Sequence, residues 1–429
     1  MSASALEFLF SLERFGMKFG LASVAQLCAA LEHPETSFRS VIVGGTNGKG
    51  SVTAMVETAL RRAGHRVARY TSPHLVRLEE RFVIDGREVG SSTLEAAALR
   101  VQRAAEDLVA SGALKTLPTF FECTTAIAFQ LFRDAGVELA ILEVGLGGRL
   151  DATNIVSPIA AAIVSIDFDH QDQLGDTLAS IAREKAGIVK PGIPVVCGAL
   201  PDEARTVIEK VCADEAARFI AADREVEVNP VDVESRTFDF ITPRVTVKNV
   251  RLALEGDHQI GNAMVALRLL DVLDERGIHA DADAVKAGLT ETRWPGRLER
   301  FTVEGCTILL DAAHNAAGAR ALASYLLETA PAGVTLVFGV MKDKAVREML
   351  QALAPAAAYT ICTSLPSPRA MDAGAIAELA RPLHTYVEVE ADPFAALGRA
   401  CARGGPVVVA GSIFLVGPLR ERLAHGILR

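Results

Sequence analysis

Apolar and polar positions follow two alternating periods along this chain. Ser40-Val-Ile-Val43 is a short, mostly apolar run, and Gly44-Gly-Thr-Asn-Gly-Lys-Gly-Ser51 interrupts it. Val52, Met55, Val56, Ala59, Leu60 and Ala63 then recur at helical spacing. The first stretch reads as a buried strand and the last as the apolar stripe of a helix. Strand, glycine-rich turn and helix, in that order, organise the rest.

Upstream, Leu6, Leu9, Phe10, Val24, Leu27, Cys28 and Leu31 carry helical periodicity, broken at Phe15-Gly-Met-Lys-Phe-Gly20. Two short helices are predicted there. Downstream, the pattern predicts a strand over 66–70 and a hairpin over 82–89 turning at Asp85-Gly86. Helices follow over 93–110 and 123–134, then strands over 138–142 and 159–166, a helix over 176–186, a strand over 194–197 and a helix after Asp202. Residues 220–255 alternate in the β manner and predict a small antiparallel edge, and 261–273 returns to helix. Arg293-Trp-Pro-Gly-Arg297 punctuates the pattern. Beyond it, strands over 307–310, 334–338, 359–362 and 407–410 alternate with helices again.

Alternating strands and helices predict an α/β fold with a mostly parallel sheet and ligand loops at the strand C-terminal ends. We expect a phosphate-loop ATPase domain over 1–294 and a smaller, Rossmann-like α/β domain over 295–429. The length of 429 residues suits such a division.

Half the residues are apolar and 23% are charged, which is globular composition, and the net charge of −9 argues against nucleic acid or an anionic membrane as partner. With seven cysteines and no C-x-x-C pair, the cysteines read as core thiols of a reducing compartment, not as disulfides or a zinc site. No signal peptide and no apolar run of membrane-spanning length is read, so a cytoplasmic protein is expected.

The glycine turn carries the first chemistry. Its glycines let backbone N–H groups converge on a polyphosphate at a helix N-terminus. Lys49 adds a full positive charge, and Ser51 a hydroxyl that reaches a magnesium ion; Gly50 stands between them, unlike the common G-x-x-x-x-G-K-[ST] pattern. A glycine turn with a solvated lysine is the other reading. Glu143 ends an apolar run, a costly place for an unpaired carboxylate, which favours a metal or basic partner. His170 in a polar loop reads equally as a surface histidine, and Ser72 before Pro73 as a turn residue. Gly145-Leu-Gly-Gly148 is a weak dinucleotide signal, since Leu150 stands where a third glycine would. Lys185 follows Leu178 and Ile181 and precedes Ile188, which puts its amine on an apolar helical face, where snorkelling is the ordinary outcome.

Several strings occur together: GTNGKGS at 45–51, TSPHL at 71–75, EVGLGGRLDATN at 143–154, DHQDQLGDT at 169–177, EKAGI at 184–188, WPGRLE at 294–299 and LDAAHN at 310–315. In these the chain resembles the folylpolyglutamate synthases of the bifunctional bacterial type that also act as dihydrofolate synthases, within the Mur ligase superfamily. The strand before the loop ends Val43-Gly44 where the family often has alanine, and residues 200–255 carry no assigned motif.

The resemblance implies an ATP-dependent ligase that activates a carboxylate as an acyl phosphate, which the amine of L-glutamate then attacks. It implies dihydropteroate and reduced folates as acceptors; with the charge balance arguing against nucleic acid and membrane, a monomer acting on small molecules is expected. ATP would be met by Thr46, Asn47, Gly48, Lys49, Gly50 and Ser51, with Asn262, Arg297 and Asp311 at its adenine and ribose end, where an ordinary cap or salt bridge is the alternative. Two Mg2+ ions are implied, one on Ser72 and Glu143 and a second involving His170. Lys49, Lys185 and His314 are the catalytic candidates, Lys185 as a carbamate. The pterin acid is expected at Thr119, Phe120, Phe121 and Glu122 and at Leu150, Asp151 and Ala152, with a core role for either phenylalanine as the alternative. A Mur-type ligase acting on a uridine nucleotide is the runner-up, and a regulatory GTPase is weakened by the lack of an N-K-x-D string.

Overall fold

The computed structural model describes residues 4–15, 20–232 and 234–428. Of the helix break expected over 15–20, residues 16–19 lie outside the described residues. The chain divides into two compact units. The first comprises residues 1–166, 177–253 and 261–292; the second comprises 167–176, 254–260 and 293–429.

In the first unit a mostly parallel sheet of eight strands runs in the order Arg87–Glu88, Phe82–Ile84, Val67–Tyr70, Leu139–Glu143, Arg39–Gly44, Ala160–Ile163, Pro194–Cys197 and Arg218–Ala221. Only Phe82–Ile84 runs against the others, and it forms the hairpin with Arg87–Glu88. They turn at Asp85 and Gly86, with φ of 49° and 76°, the positive pair that a tight hairpin needs. The central strand, Arg39–Gly44, is buried from Ser40 onward, which explains its unbroken apolar run. The helix after the glycine turn spans Lys49–Arg62 and is buried almost all round from Gly50 to Leu60. A Cβ on Gly288 would lie 2.7 Å from the Ala59 Cβ, so the Ala282–Thr290 helix packs closely on it.

Register places the functional strand ends side by side. Val43 pairs with Glu143, Gly44 with Ile163, and Tyr70 with Leu142. The loops leaving four neighbouring strands therefore emerge together at one edge of the sheet, where open parallel sheets bind ligands.

Several expectations are corrected. Of residues 220–255, only 220 and 221 belong to the main sheet, as the end of its parallel edge strand Arg218–Ala221. Glu227–Asp232, Thr237–Ile241 and Thr246–Arg251 make a separate three-stranded antiparallel sheet, since their alternating pattern supplies one buried face of their own. The strand expected over 159–166 stops at Ile163. The helix expected from Cys123 begins at Phe120, because Thr119 and Glu122 form a reciprocal capping box.

The second unit is a six-stranded sheet in the order Glu299–Val303, Cys306–Leu310, Val407–Ala410, Val334–Phe338, Ala357–Cys362 and Val387–Val389. All neighbours but the first pair are parallel. Its outer two strands escaped the sequence reading. So did a disulfide: Cys306 and Cys401 are joined, their Cα atoms 5.6 Å apart and 95 residues apart in sequence. Five cysteines, Cys28, Cys123, Cys197, Cys212 and Cys362, are buried free thiols as expected. Among the described residues, no helix is long and apolar enough to cross a membrane.

Candidate active site

In the first unit the glycine turn is held as an extension of the sheet. Val164 N donates to Gly44 O, and Thr46 N donates to Ser165 O at 2.8 Å, beyond the last regular rung. Gly48 has a φ of 83°, and a Cβ there would come within 2.2 Å of Asn262 Oδ1; glycine is what lets the buried Asn262 lie against the turn. Lys49 Nζ donates to Gly45 O at 3.1 Å and Thr46 O at 3.2 Å. Lys185, also buried, donates to the same Gly45 carbonyl at 3.0 Å. A Cβ on Gly148 would be 2.7 Å from the Lys185 carbonyl, so the loop after Glu143 passes close over that helix.

Glu143 is buried beside the turn, and its Oε2 accepts from Ser72 N at 3.2 Å. The Ser72–Pro73 peptide is cis. Ser72 Oγ is buried without a hydrogen-bond partner. An unsatisfied hydroxyl beside a buried carboxylate is a set of hard oxygens that suits magnesium, which keeps waters for its remaining positions. Among the described residues no cluster of three or more His, Cys, Asp or Glu side chains forms a metal site.

Next to these lies an aromatic cluster. Phe120 and Phe121 are half-buried. The Arg81 guanidinium stands 5.2 Å from the Phe120 ring centre, and Phe10 stacks on that ring at 6.0 Å. Arg81 is only 6% exposed, and among the described residues it makes no ion pair; its Nε donates to His74 Nδ1 at 2.9 Å. Burial, with the charge of Arg81 added, holds the His74 imidazole down at about 4, so the ring is neutral.

Thr119 and Glu122 turn their polar atoms on each other: Glu122 Oε2 accepts from Thr119 N and Oγ1 at 2.7 and 2.8 Å. Asp151 is likewise engaged. Its Oδ2 accepts from Gly145 N and Leu146 N at 2.9 and 3.0 Å, and its Oδ1 from Thr153 N and Oγ1 at 3.0 and 2.6 Å. Burial pushes its carboxyl up from the ordinary value, and these hydrogen bonds oppose the rise. A Cβ on Gly145 would meet the Phe121 ring at 2.7 Å, so the loop that Asp151 holds lies against that phenylalanine. Ala152 is buried and Leu150 half-buried in the same loop.

The second unit contains a separate polar cluster. Asp169 accepts from Lys344 Nζ at 2.7 Å and Asn315 Nδ2 at 3.0 Å. His314 Nε2 lies 3.5 Å and His170 Nε2 3.9 Å from its carboxylate. Burial alone would raise the Asp169 carboxyl, but the His314 hydrogen bond and the Lys344 and histidine charges hold it well below the ordinary range. His314 Nδ1 faces the Ala312 carbonyl at 3.0 Å, which fixes the ring's orientation. Asp311 accepts from Leu298 N at 3.0 Å and Ala313 N at 2.9 Å, pinning the WPGRLE turn to the strand end. Half-buried Arg297 acts electrostatically on His258, which burial lowers, Asp311 raises and Arg297 lowers.

The sites expected from sequence thus fall into two groups. The turn residues, Asn262, Ser72, Glu143, Lys185 and the Phe120 to Asp151 cluster belong to the first unit, and His170, Arg297, Asp311 and His314 to the second. Asp169, Lys344, Arg81, His74 and Ser165 were missed as site residues. Lys344 follows the apolar strand Val334–Phe338, and that strand-end position is the signal that could have found it.

Residues 43–270 match the Mur ligase middle domain, and residues 296–413 the Mur ligase glutamate ligase domain. The chain belongs to the Mur ligase family, and it is an ATP-dependent ligase. It is 34% identical over 423 residues to the dihydrofolate synthase/folylpolyglutamate synthase of Bacillus subtilis, covering 96% of each chain. It also resembles Escherichia coli FolC in complex with DHPP and ADP, with a TM-score of 0.88, 30% identity and coverage of 99% and 98%. A bifunctional folylpolyglutamate synthase/dihydrofolate synthase with Mn, AMPPNP and L-glutamate bound is similar at a TM-score of 0.86 and 31% identity, covering 99% of this chain and 98% of that one.

Proposed function

We infer that this chain joins L-glutamate to a folate-type acid at the expense of ATP, with both dihydropteroate and tetrahydrofolate as acceptors. The observation that carries this reading is Arg81: a residue only 6% exposed, its guanidinium paired with no carboxylate among the described residues, beside half-buried aromatic rings. A buried charge without a counter-ion is costly, and an anionic aromatic acid supplies both the charge and the flat face. The ligands seen in FolC and its relatives, DHPP, ADP and L-glutamate, support the same reaction.

In the chemistry so proposed, an acceptor carboxylate oxygen attacks the γ-phosphorus and ADP leaves. The glutamate amine then adds to the acyl carbon, phosphate leaves, and the amine gives up a proton. Lys49 and the N–H groups opening the Lys49–Arg62 helix hold the polyphosphate in line. Ser72 and Glu143 would hold a magnesium ion, which supplies charge neutralisation when bound. Lys344, His314 and Asn315 in the second unit present positive and hydrogen-bonding groups suited to an amino acid's carboxylates. We read two ions, a monomer and a cytoplasmic location as parts of the same proposal.

The test is incorporation of labelled glutamate with ATP and Mg2+, run separately with dihydropteroate and tetrahydrofolate. Incorporation into both is expected; incorporation into neither removes the proposal.

A further inference from the structure

We propose that Ser165 is a positioning residue for nucleotide use, shaping the phosphate loop before the nucleotide arrives; this rests on reading residues 44–51 as that loop. The parallel ladder between Arg39–Gly44 and Ala160–Ile163 does not end where the strands end. Val164 N bonds Gly44 O at 2.9 Å and Thr46 N bonds Ser165 O at 2.8 Å. At the next rung a side chain takes over: Asn47 N donates to Ser165 Oγ at 2.9 Å, and Ser165 Oγ donates to Asn47 O at 3.0 Å. One hydroxyl both accepts and donates, doing for a single residue what a peptide group does in a parallel ladder.

Close approach completes the clamp. A Cβ on Gly45 would stand 3.1 Å from both Val164 N and Ser165 N, so only a glycine lets the loop backbone lie this near. With Gly45, Thr46 and Asn47 held against residues 164 and 165, the chain turns at Gly48 and opens the Lys49–Arg62 helix. The first N–H groups of that helix have no intrahelical acceptors and point toward a bound polyphosphate. The Ser165 hydroxyl acts through the loop backbone, on Asn47 N and Asn47 O. It fixes the half of the loop whose shape decides where the other half's donors converge. Preorganisation of this kind is worth most to the ligand it serves.

The test compares Ser165→Ala, Ser165→Thr and Lys49→Ala in the full-length enzyme. Loss of two hydrogen bonds should raise the KM for ATP about tenfold and weaken ADP binding about as much. The kcat and the KM for glutamate should stay within about twofold of the wild type. Ser165→Thr, which keeps the hydroxyl, should restore most of the affinity. Ser165→Cys, similar in size with a far weaker hydrogen-bonding group, should behave like the alanine variant, and serves if alanine does not fold. An unchanged KM for ATP, equal losses for all substrates, or a threonine variant as impaired as alanine overturns the proposal. If Lys49→Ala keeps full ATP use, the loop reading itself fails; if Lys49→Ala is inactive and Ser165→Ala is normal, only the role of Ser165 is lost.

Discussion

Lys49 and Lys185 donate to one oxygen, the carbonyl of Gly45, at 3.1 and 3.0 Å. Two ammonium groups so placed can be no more than about 6 Å apart, where like charges repel by roughly 3 kcal/mol at an effective dielectric constant of about 20. Addition of carbon dioxide to Lys185, which releases two protons from its ammonium group, would replace that repulsion with attraction, because a carbamate is an anion. Lys185→Ala is therefore expected to lower kcat by two orders of magnitude or so, with partial rescue by acetate or formate. Mass analysis of active enzyme under carbon dioxide, finding only the free amine, would count against the carbamate.

Arg81 makes a prediction of two opposite signs. If its buried charge awaits an anionic acceptor, Arg81→Met should raise the acceptor KM at least tenfold, a loss of about 1.4 kcal/mol or more. The same substitution removes an unpaired buried charge, so the ligand-free protein should be as stable as the wild type or more so. A fall in melting temperature with an unaltered acceptor KM would make Arg81 a structural residue.

What was legible in the sequence follows from where its signals are periodic. The strand, turn and helix over 39–62 announce themselves because a buried strand, a glycine turn and a helical stripe differ in period. Glu143 stood out because a carboxylate ending a buried strand is rarely idle. Arg81 and Ser165 gave no such signal: a charged residue near a hairpin reads as solvated, and a serine after an apolar strand reads as a loop. Their roles arise from register, which sets four strand ends side by side. The Cys306–Cys401 bridge was invisible because its partners are 95 residues apart. The start of the Phe120–Asp134 helix was set by a capping box that was read as part of a ligand site.

His74 should make stability depend on pH. Its pKa is lowered from 6.5 to about 4 by burial and then by Arg81, so the folded state stays neutral while the unfolded chain takes up a proton. Stability from this group is fully present above the unfolded value and is lost as pH falls from about 6.5 toward about 4. Allowing for partial exposure, the wild type should lose roughly 1 to 2 kcal/mol from this residue between about pH 7 and about pH 5. His74→Asn keeps an acceptor for Arg81 but cannot titrate. Urea midpoints at the two pH values should differ less in the variant; equal differences would place the pH sensitivity elsewhere.

Asp151 decides how the two acceptors are to be told apart. The resemblance to the bifunctional synthases implies that Asp151, followed by the small Ala152, helps accept dihydropteroate, and a loss mainly of that acceptor when Asp151 is removed. The hydrogen bonds argue for a different outcome. Both carboxylate oxygens are engaged with Gly145, Leu146 and Thr153, and the loop they hold lies against Phe121. Asp151 thus acts on any acceptor through the aromatic cluster it shapes. Removing it leaves three backbone N–H groups to find new partners, each at about 1 kcal/mol or more where water cannot reach. Asp151→Ala should therefore raise the KM for dihydropteroate and tetrahydrofolate alike, by about tenfold or more, with the KM for ATP nearly unchanged. Asp151→Asn can accept through only one oxygen and should fall between alanine and wild type. A loss confined to dihydropteroate would return Asp151 to direct contact with that acceptor. Should the wild type extend tetrahydrofolate but leave dihydropteroate untouched at saturation, the enzyme is a polyglutamylase alone, and the loop serves a single ring position.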